Sequence, residues 1–295
     1  MESTATRLSA LSRLFSAGVY RELAKRGRSP LFSRLLYQIG PGLSFGKSAT
    51  VGDAFDSAFS MLRRSGQRNE YVYRSALVQN ILLGRHTLNT TCMLTEFRAG
   101  SCKADVAILN GTSTVYEIKS DRDSLSRLAN QIENYRKVFA KIYVIAGDGH
   151  VEEVIDSTSN DIGVLSLVRW DRISTVREAK DCASSISPLA VFESLRSDEA
   201  RDILECLGVD VPNVPNTALR ETLRARFANL HPEDVHRQMV TTLKRTRDLA
   251  PLACLIDGLP RSLQAAALSI KIRQSEHIRL AGAIRTPISE AMTWA

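Results

Sequence analysis

The chain has 295 residues, 44% hydrophobic and 24% charged, with a net charge of +7, a balance that excludes a low-complexity or fibrous protein and suits one large domain or two modest ones. No apolar run approaches 18 residues, and the opening MESTATRLSALSRLF lacks the apolar stretch of a signal peptide, so a cytoplasmic protein with no membrane partner is expected. The five cysteines (Cys92, Cys102, Cys182, Cys206, Cys254) are scattered without a C-x-x-C, which argues against a zinc knuckle and for reduced, mostly buried thiols.

The charge is uneven. Residues 1–50 hold eight Lys or Arg against two Glu, whereas the remainder is close to balanced. The excess gathers in Arg21, Lys25, Arg26, Arg28 and Arg34. A polyanion such as DNA would be drawn there, and a solvated helix face is the competing reading.

Residues 1–40 read as short helices. Leu8, Leu11, Leu14 and Phe15 keep a helical apolar period, as do Leu31, Leu35, Leu36 and Ile39. Gly40-Pro41-Gly42 ends this pattern. The following Gly42–Ser48 invites a phosphate-loop reading that fails, because Pro41 stands where the first glycine of that motif belongs.

Glu70–Leu83 reads as a helix. Three runs rich in β-branched residues follow at Thr90–Phe97, Ala104–Leu109 and Thr114–Ile118, separated by the turn signals Ala99-Gly100-Ser101 and Asn110-Gly111. A helix is expected over Leu125–Phe139, then strands at Ile142–Ala146, Ile162–Val168 and about Thr175–Arg177. Beyond Cys182, Pro188, Pro212, Pro215, Pro232, Pro251 and Pro260 divide the chain into short helical pieces, with disorder expected from about Thr286. The expected organisation is a basic helical extension (1–65), a mixed α/β core (66–180) and an all-helical C-terminal region (181–295).

The chemistry concentrates in Ala104-Asp105-Val106-Ala107-Ile108 and Tyr116-Glu117-Ile118-Lys119. If the two runs form a hairpin, Asp105 near the start of one strand meets Glu117 near the end of the other. The period of two puts Glu117 and Lys119 on one face, with Ile118 turned to the core. Two carboxylates and an ammonium suit phosphodiester hydrolysis. A hard cation takes oxygen ligands, and a lysine orients water or stabilises developing charge.

Helix, three strands, helix and strand, with D-x(11)-E-x-K across the hairpin, resembles the PD-(D/E)XK nuclease superfamily over roughly residues 68–147. The proline that often precedes the first acidic residue is replaced by Ala104. The resemblance implies an α/β, restriction-endonuclease-like core: a three-stranded meander in a mixed sheet flanked by helices, with helical extensions at both ends. It also implies a catalytic set of Asp105, Glu117 and Lys119. Gln131 and Tyr135 form the Q-x-x-x-Y that RecB-like nucleases carry on the next helix, one turn apart on one face. Glu70, on the first helix, occupies the place of an additional acidic metal ligand beside Asp105 and Glu117. Lys103, two residues before Asp105, is expected to contact DNA backbone or to neutralise the acidic cluster. Arg21, Lys25, Arg26 and Arg28 are expected to contact DNA as well, and Glu96 and Arg98 to face the site. Bacterial proteins that pair this core with helical flanks are similar as well.

The implied function is a Mg²⁺-dependent deoxyribonuclease, with Mn²⁺ as substitute, acting in repair or in defence against foreign DNA. A binding module that keeps the fold without catalysis is the alternative, with the C-terminal helices holding a protein partner. A partner-activated toxin or effector is a third.

Overall fold

The structure, a computed structural model, describes residues 4–40, 45–64 and 68–294; part of the Gly42–Ser48 stretch lies outside them. The chain opens with helices α1 (Thr4–Leu14), α2 (Ala17–Arg26), α3 (Pro30–Ile39), α4 (Val51–Leu62) and α5 (Glu70–Leu77). A π-helical turn (Val78–Leu82) and the single turn α6 (Leu83–Arg85) lead to β1 (Cys92–Ala99), β2 (Cys102–Asn110) and β3 (Thr112–Lys119). Next come α7 (Leu128–Arg136), β4 (Lys141–Ala146), α8 (Val151–Ser157), β5 (Gly163–Leu167) and β6 (Ile173–Arg177). Helices α9 (Pro188–Ser194), α10 (Ser197–Cys206), α11 (Asn216–Phe227) and α12 (Pro232–Thr246) follow. The chain closes with α13 (Ala253–Gly258), α14 (Arg261–Ser269), α15 (His277–Arg285) and α16 (Ile288–Ala291).

These elements form two compact units, residues 82–249 and residues 1–81 with 250–295. The division cuts across the linear organisation expected from composition. Helices α9–α12 join the sheet, while α13–α16 return to the N-terminal helices. A sheet face must be covered by apolar helix faces, and α9–α12 supply that cover.

In the discontinuous unit, Phe15, Phe32, Phe55 and Phe59 interlock, with Phe32 and Phe55 centroids 5.1 Å apart. Local signals set the helix starts. Thr50 and Asp53 form a reciprocal cap on α4, and Ser29 caps α3 ahead of Pro30. The segment after Thr286, expected to be disordered, is instead organised. It forms α16, and Trp294 packs against Phe32. Buried aromatic area so close to the end holds the segment down.

The sheet unit is α/β, with six strands in the order β1-β2-β3-β4-β5-β6. β1, β2 and β3 form an antiparallel meander, β3, β4 and β5 run parallel, and β6 returns antiparallel. Helix α8, not foreseen in the sequence, makes the crossover between β4 and β5. Gly111 turns the β2–β3 hairpin at φ 74°, in the left-handed region that glycine enters freely. One core runs from Leu94, Ala107, Val115 and Val144 of the sheet to Ile132 and Tyr135 of α7 and onward to α9–α12. That core is pinned by Glu199 of α10, fully buried and gripped by both Nε and Nη2 of Arg247 at 2.8 and 2.9 Å. Among the described residues, no helix is long and apolar enough to cross a membrane. The thiols are less hidden than expected: Cys92 is buried, but Cys206 and Cys254 are exposed.

Candidate functional site

The site begins where two strands part. β2 and β3 pair from Asn110↔Thr112 to Val106↔Tyr116 and no further, although β2 starts at Cys102 and β3 runs on to Lys119. From there β2 keeps β1, and β3 keeps β4. Asp105 is the first residue past the last rung. Its Oδ2 accepts the backbone N–H of Ile118 at 2.8 Å, replacing a main-chain bond with a side-chain one. Asp105 and Glu117 thus meet at the fork, as the hairpin register requires.

A second irregularity lies at the same level. β1 and β2 pair at Thr95↔Val106 and again at Phe97↔Ala104, skipping Glu96 and Asp105. Glu96 takes φ 52°, a region rarely used by non-glycine residues. Leu94 and Phe97 share one core, as do Ala104 and Ala107, so the strict alternation of strand faces is broken here. Asp105 therefore sits on a kink.

Glu117 and Lys119 are buried, 2% and 3% exposed. Their surroundings are a core, because β3 is an interior strand covered by α7. Glu117 Oε1 accepts from Lys119 Nζ at 2.9 Å and from Gln131 Nε2 at 2.5 Å. Lys119 Nζ also donates to Gln131 Oε1 at 2.8 Å. Glu117 Oε2 accepts from the Tyr135 hydroxyl at 2.6 Å, and the Lys103 carbonyl oxygen lies 2.9 Å from that same hydroxyl. Burial, then the charge of Glu117, holds the Tyr135 phenol above its ordinary range, so it stays a donor.

Glu117, Lys119, Gln131 and Tyr135 thus form one hydrogen-bonded network, and Asp105 stands at the same fork, bonded to the Ile118 N–H. The side chains of the remaining expected residues make other contacts. Glu70 lies in the discontinuous unit, where its carboxylate pairs with Arg74 one turn on along α5. Among the described residues, no group of three His, Cys, Asp or Glu side chains is arranged to hold a metal ion. Lys103 is exposed, 4.0 Å from Glu96, and Arg98 turns to the Gly100 carbonyl at the hairpin tip. Arg21, Lys25, Arg26 and Arg28 are exposed on and just beyond α2.

Asn134 belongs to the surroundings of the site and was not singled out in the sequence. Its Oδ1 accepts from Ser101 N at 3.2 Å, clamping the β1–β2 turn to α7. A Cβ on Gly100 would stand 2.1 Å from that oxygen. The glycine of Ala99-Gly100-Ser101 was the available signal.

The family model described as Bacteriophage P4 protein cII matches residues 63–249. The chain belongs to the bacteriophage P4 cII protein family. The cII match ends where the sheet unit ends, at residue 249. Protein cII of Enterobacteria phage P4 is 27% identical over 147 residues, covering 49% of this chain and 54% of the phage protein. The chain thus matches about half the length of that cII relative. Among solved structures, a protein of unknown function from Silicibacter pomeroyi is similar at 19% identity, with a TM-score of 0.31, over 49% of this chain and 92% of the other.

Proposed function

We propose that the sheet unit carries a restriction-endonuclease-like core and hydrolyses phosphodiester bonds in DNA, with Mg²⁺ as cofactor and Mn²⁺ as substitute. The observation that supports this reading is the gathering of Asp105, Glu117, Lys119, Gln131 and Tyr135 at one strand fork. The donor set fits a hard cation in kind. Asp105 and Glu117 would supply carboxylate oxygens, with phosphate and water completing the shell. Such a cation, when bound, lowers the pKa of a water and screens phosphate charge.

The chain's own residues have separable tasks. Tyr135 and Gln131 fix the two oxygens of Glu117, so that its carboxylate plane is set by α7 rather than by solvent. Lys119 holds positive charge beside that carboxylate, where it would oppose negative charge growing on a phosphate at the fork. Asp105 is half-buried, and Lys103, two residues earlier and exposed, is placed to meet backbone phosphate at the same end of β2.

One observation favours a second reading, a module that keeps the fold without catalysis. Both Glu117 oxygens are already satisfied by three donors, as in a structural ion pair, and a ligand must displace one of them. Incubation with linear, circular and single-stranded DNA plus Mg²⁺ or Mn²⁺ separates the two. Cleavage by the wild type that is lost in a folded Glu117→Gln variant supports hydrolysis. No cleavage and no Mn²⁺ uptake by the wild type supports the module.

A further inference from the structure

The discontinuous unit carries a cationic surface that the strand fork does not use. Between residues 4 and 39 there are seven Lys or Arg and one acidic residue, Glu22. Folding turns that single carboxylate, half-buried, toward α3. Glu22 Oε2 accepts from the Ser29 hydroxyl at 2.7 Å and from Leu31 N at 3.3 Å, which directs it to the start of α3 and not to the neighbouring cations. Arg21 and Lys25 lie one turn apart on the outer face of α2, and Arg26 and Arg28 follow at its end. No ion pair joins any of these four to a carboxylate among the described residues.

The surface continues onto a helix some 250 residues further along the chain. Arg279 of α15 donates from Nη1 to the Lys25 carbonyl at 2.7 Å, and its Cγ lies 3.4 Å from where a Gly27 Cβ would be. A fifth cation, the Arg279 guanidinium, therefore stands beside the other four, held by the carbonyl end of α2. That end favours positive charge, which helps to keep the cluster together.

We propose that this α2–α15 face docks the phosphate backbone of a nucleic acid, without reading sequence. The proposal deepens the reading above, resting on its nucleic-acid partner but not on hydrolysis. Charge complementarity selects the partner: unpaired, exposed cations at roughly one-turn spacing match a dense line of phosphates. An anionic membrane fits less well. An interfacial helix sinks its apolar face into lipid, whereas Val19, Tyr20, Leu23 and Ala24 of α2 are all spent in the unit's core.

The test is an anisotropy titration of the full chain with a labelled duplex of about 30 base pairs, in chelator, over a range of salt. Neutralising Arg21, Lys25, Arg26 and Arg28 to Gln should weaken binding at least about tenfold near 0.1 M salt and flatten the log–log salt slope by roughly three to four. Changing Arg21, Arg26 and Arg28 to Lys should preserve both. If the neutralised protein does not fold, Lys25→Glu, at an exposed position, reads the same slope. An unchanged slope overturns the proposal. So does binding to phosphatidylserine vesicles that depends on these residues while DNA binding does not. Because chelator removes any hydrolysis, this titration reads the α2–α15 surface alone, while the cleavage assay reads the strand fork, so failure of this surface is distinguished from failure of the nuclease reading.

Discussion

Lys119 and Gln131 are joined at 2.8 Å across the β3–α7 interface, so a buried ammonium and an amide tie the strand that carries Glu117 to the helix above it. The division of labour among the central residues can be tested on this contact. Asp105→Ala and Glu117→Ala should lose both Mn²⁺ affinity and cleavage. Lys119→Ala should keep metal affinity, since an ammonium is not a ligand, while turnover drops by roughly two to four powers of ten. Calorimetric titration beside a cleavage assay reads both. Robust cleavage by Lys119→Ala would remove this residue from the chemistry.

Tyr135→Phe deletes one hydroxyl and leaves Glu117 Oε2 and the Lys103 carbonyl without that donor inside the core. The expected loss is ~1–3 kcal/mol of unfolding free energy, measured by urea titration. Because the phenol's pKa is raised, the loss should not vary between neutral and mildly alkaline pH. An unchanged midpoint would show that Glu117 does not depend on this bond.

Gly100→Ala should destabilise by more than ~1 kcal/mol, for two reasons that can be told apart. Its φ of 59° disfavours any side chain, and the new Cβ would meet Asn134 Oδ1. Pairing it with Asn134→Ala should relieve the second effect but not the first. Double-mutant melts that are strictly additive would mean that the turn and α7 are not coupled.

His236 of α12 holds the far end of β3. Its Nε2 lies 3.2 Å from the Ser113 N–H and 3.0 Å from Ser113 Oγ, and a neutral ring is needed to accept that N–H. Burial lowers its pKa below the ordinary 6.5, with Asp181 and Glu233 opposing more weakly. A depressed folded value means that the stabilisation is full above the unfolded pKa and is lost as pH falls through the folded one. The urea midpoint should therefore drop on going from pH 7.5 toward 5. His236→Gln should flatten that drop, and an identical pH profile in the variant would exclude the histidine.

The strand meander, α7 and the pairing of Glu117 with Lys119 on one face were legible because each follows from local signals: period two, the Asn110-Gly111 turn and the one-turn spacing of Gln131 and Tyr135. The burial of Glu117 and Lys119 was not. A charged pair at alternate strand positions looks alike whether water or a helix lies above it, and only the packing of α7 decides. The kink at Glu96 and Asp105 was hidden for a related reason, since two opposed residues leave the ladder together and the apolar pattern resumes after them. Prolines marked most of the breaks among the C-terminal helices. They carried no information on which core each piece joins, because an amphipathic face specifies burial and not its partner. Glu70 was assigned by position along the chain, and its pairing with Arg74 is an ordinary consequence of helical spacing.

The discontinuity of the helical unit has a consequence for biosynthesis. Its N-terminal helices leave the ribosome with their apolar faces uncovered, and the helices that complete their core are encoded beyond residue 249. At about 5–20 residues per second, the intervening sheet unit separates the two events by roughly ten to thirty seconds. The sheet unit, continuous from 82 to 249, can close first on the nascent chain, while α1–α5 wait as an exposed hydrophobic surface that invites chaperone capture. Ribosome-stalled chains long enough to have just released residue 249 from the exit tunnel should therefore protect the sheet unit from protease and leave the N-terminal helices open to it.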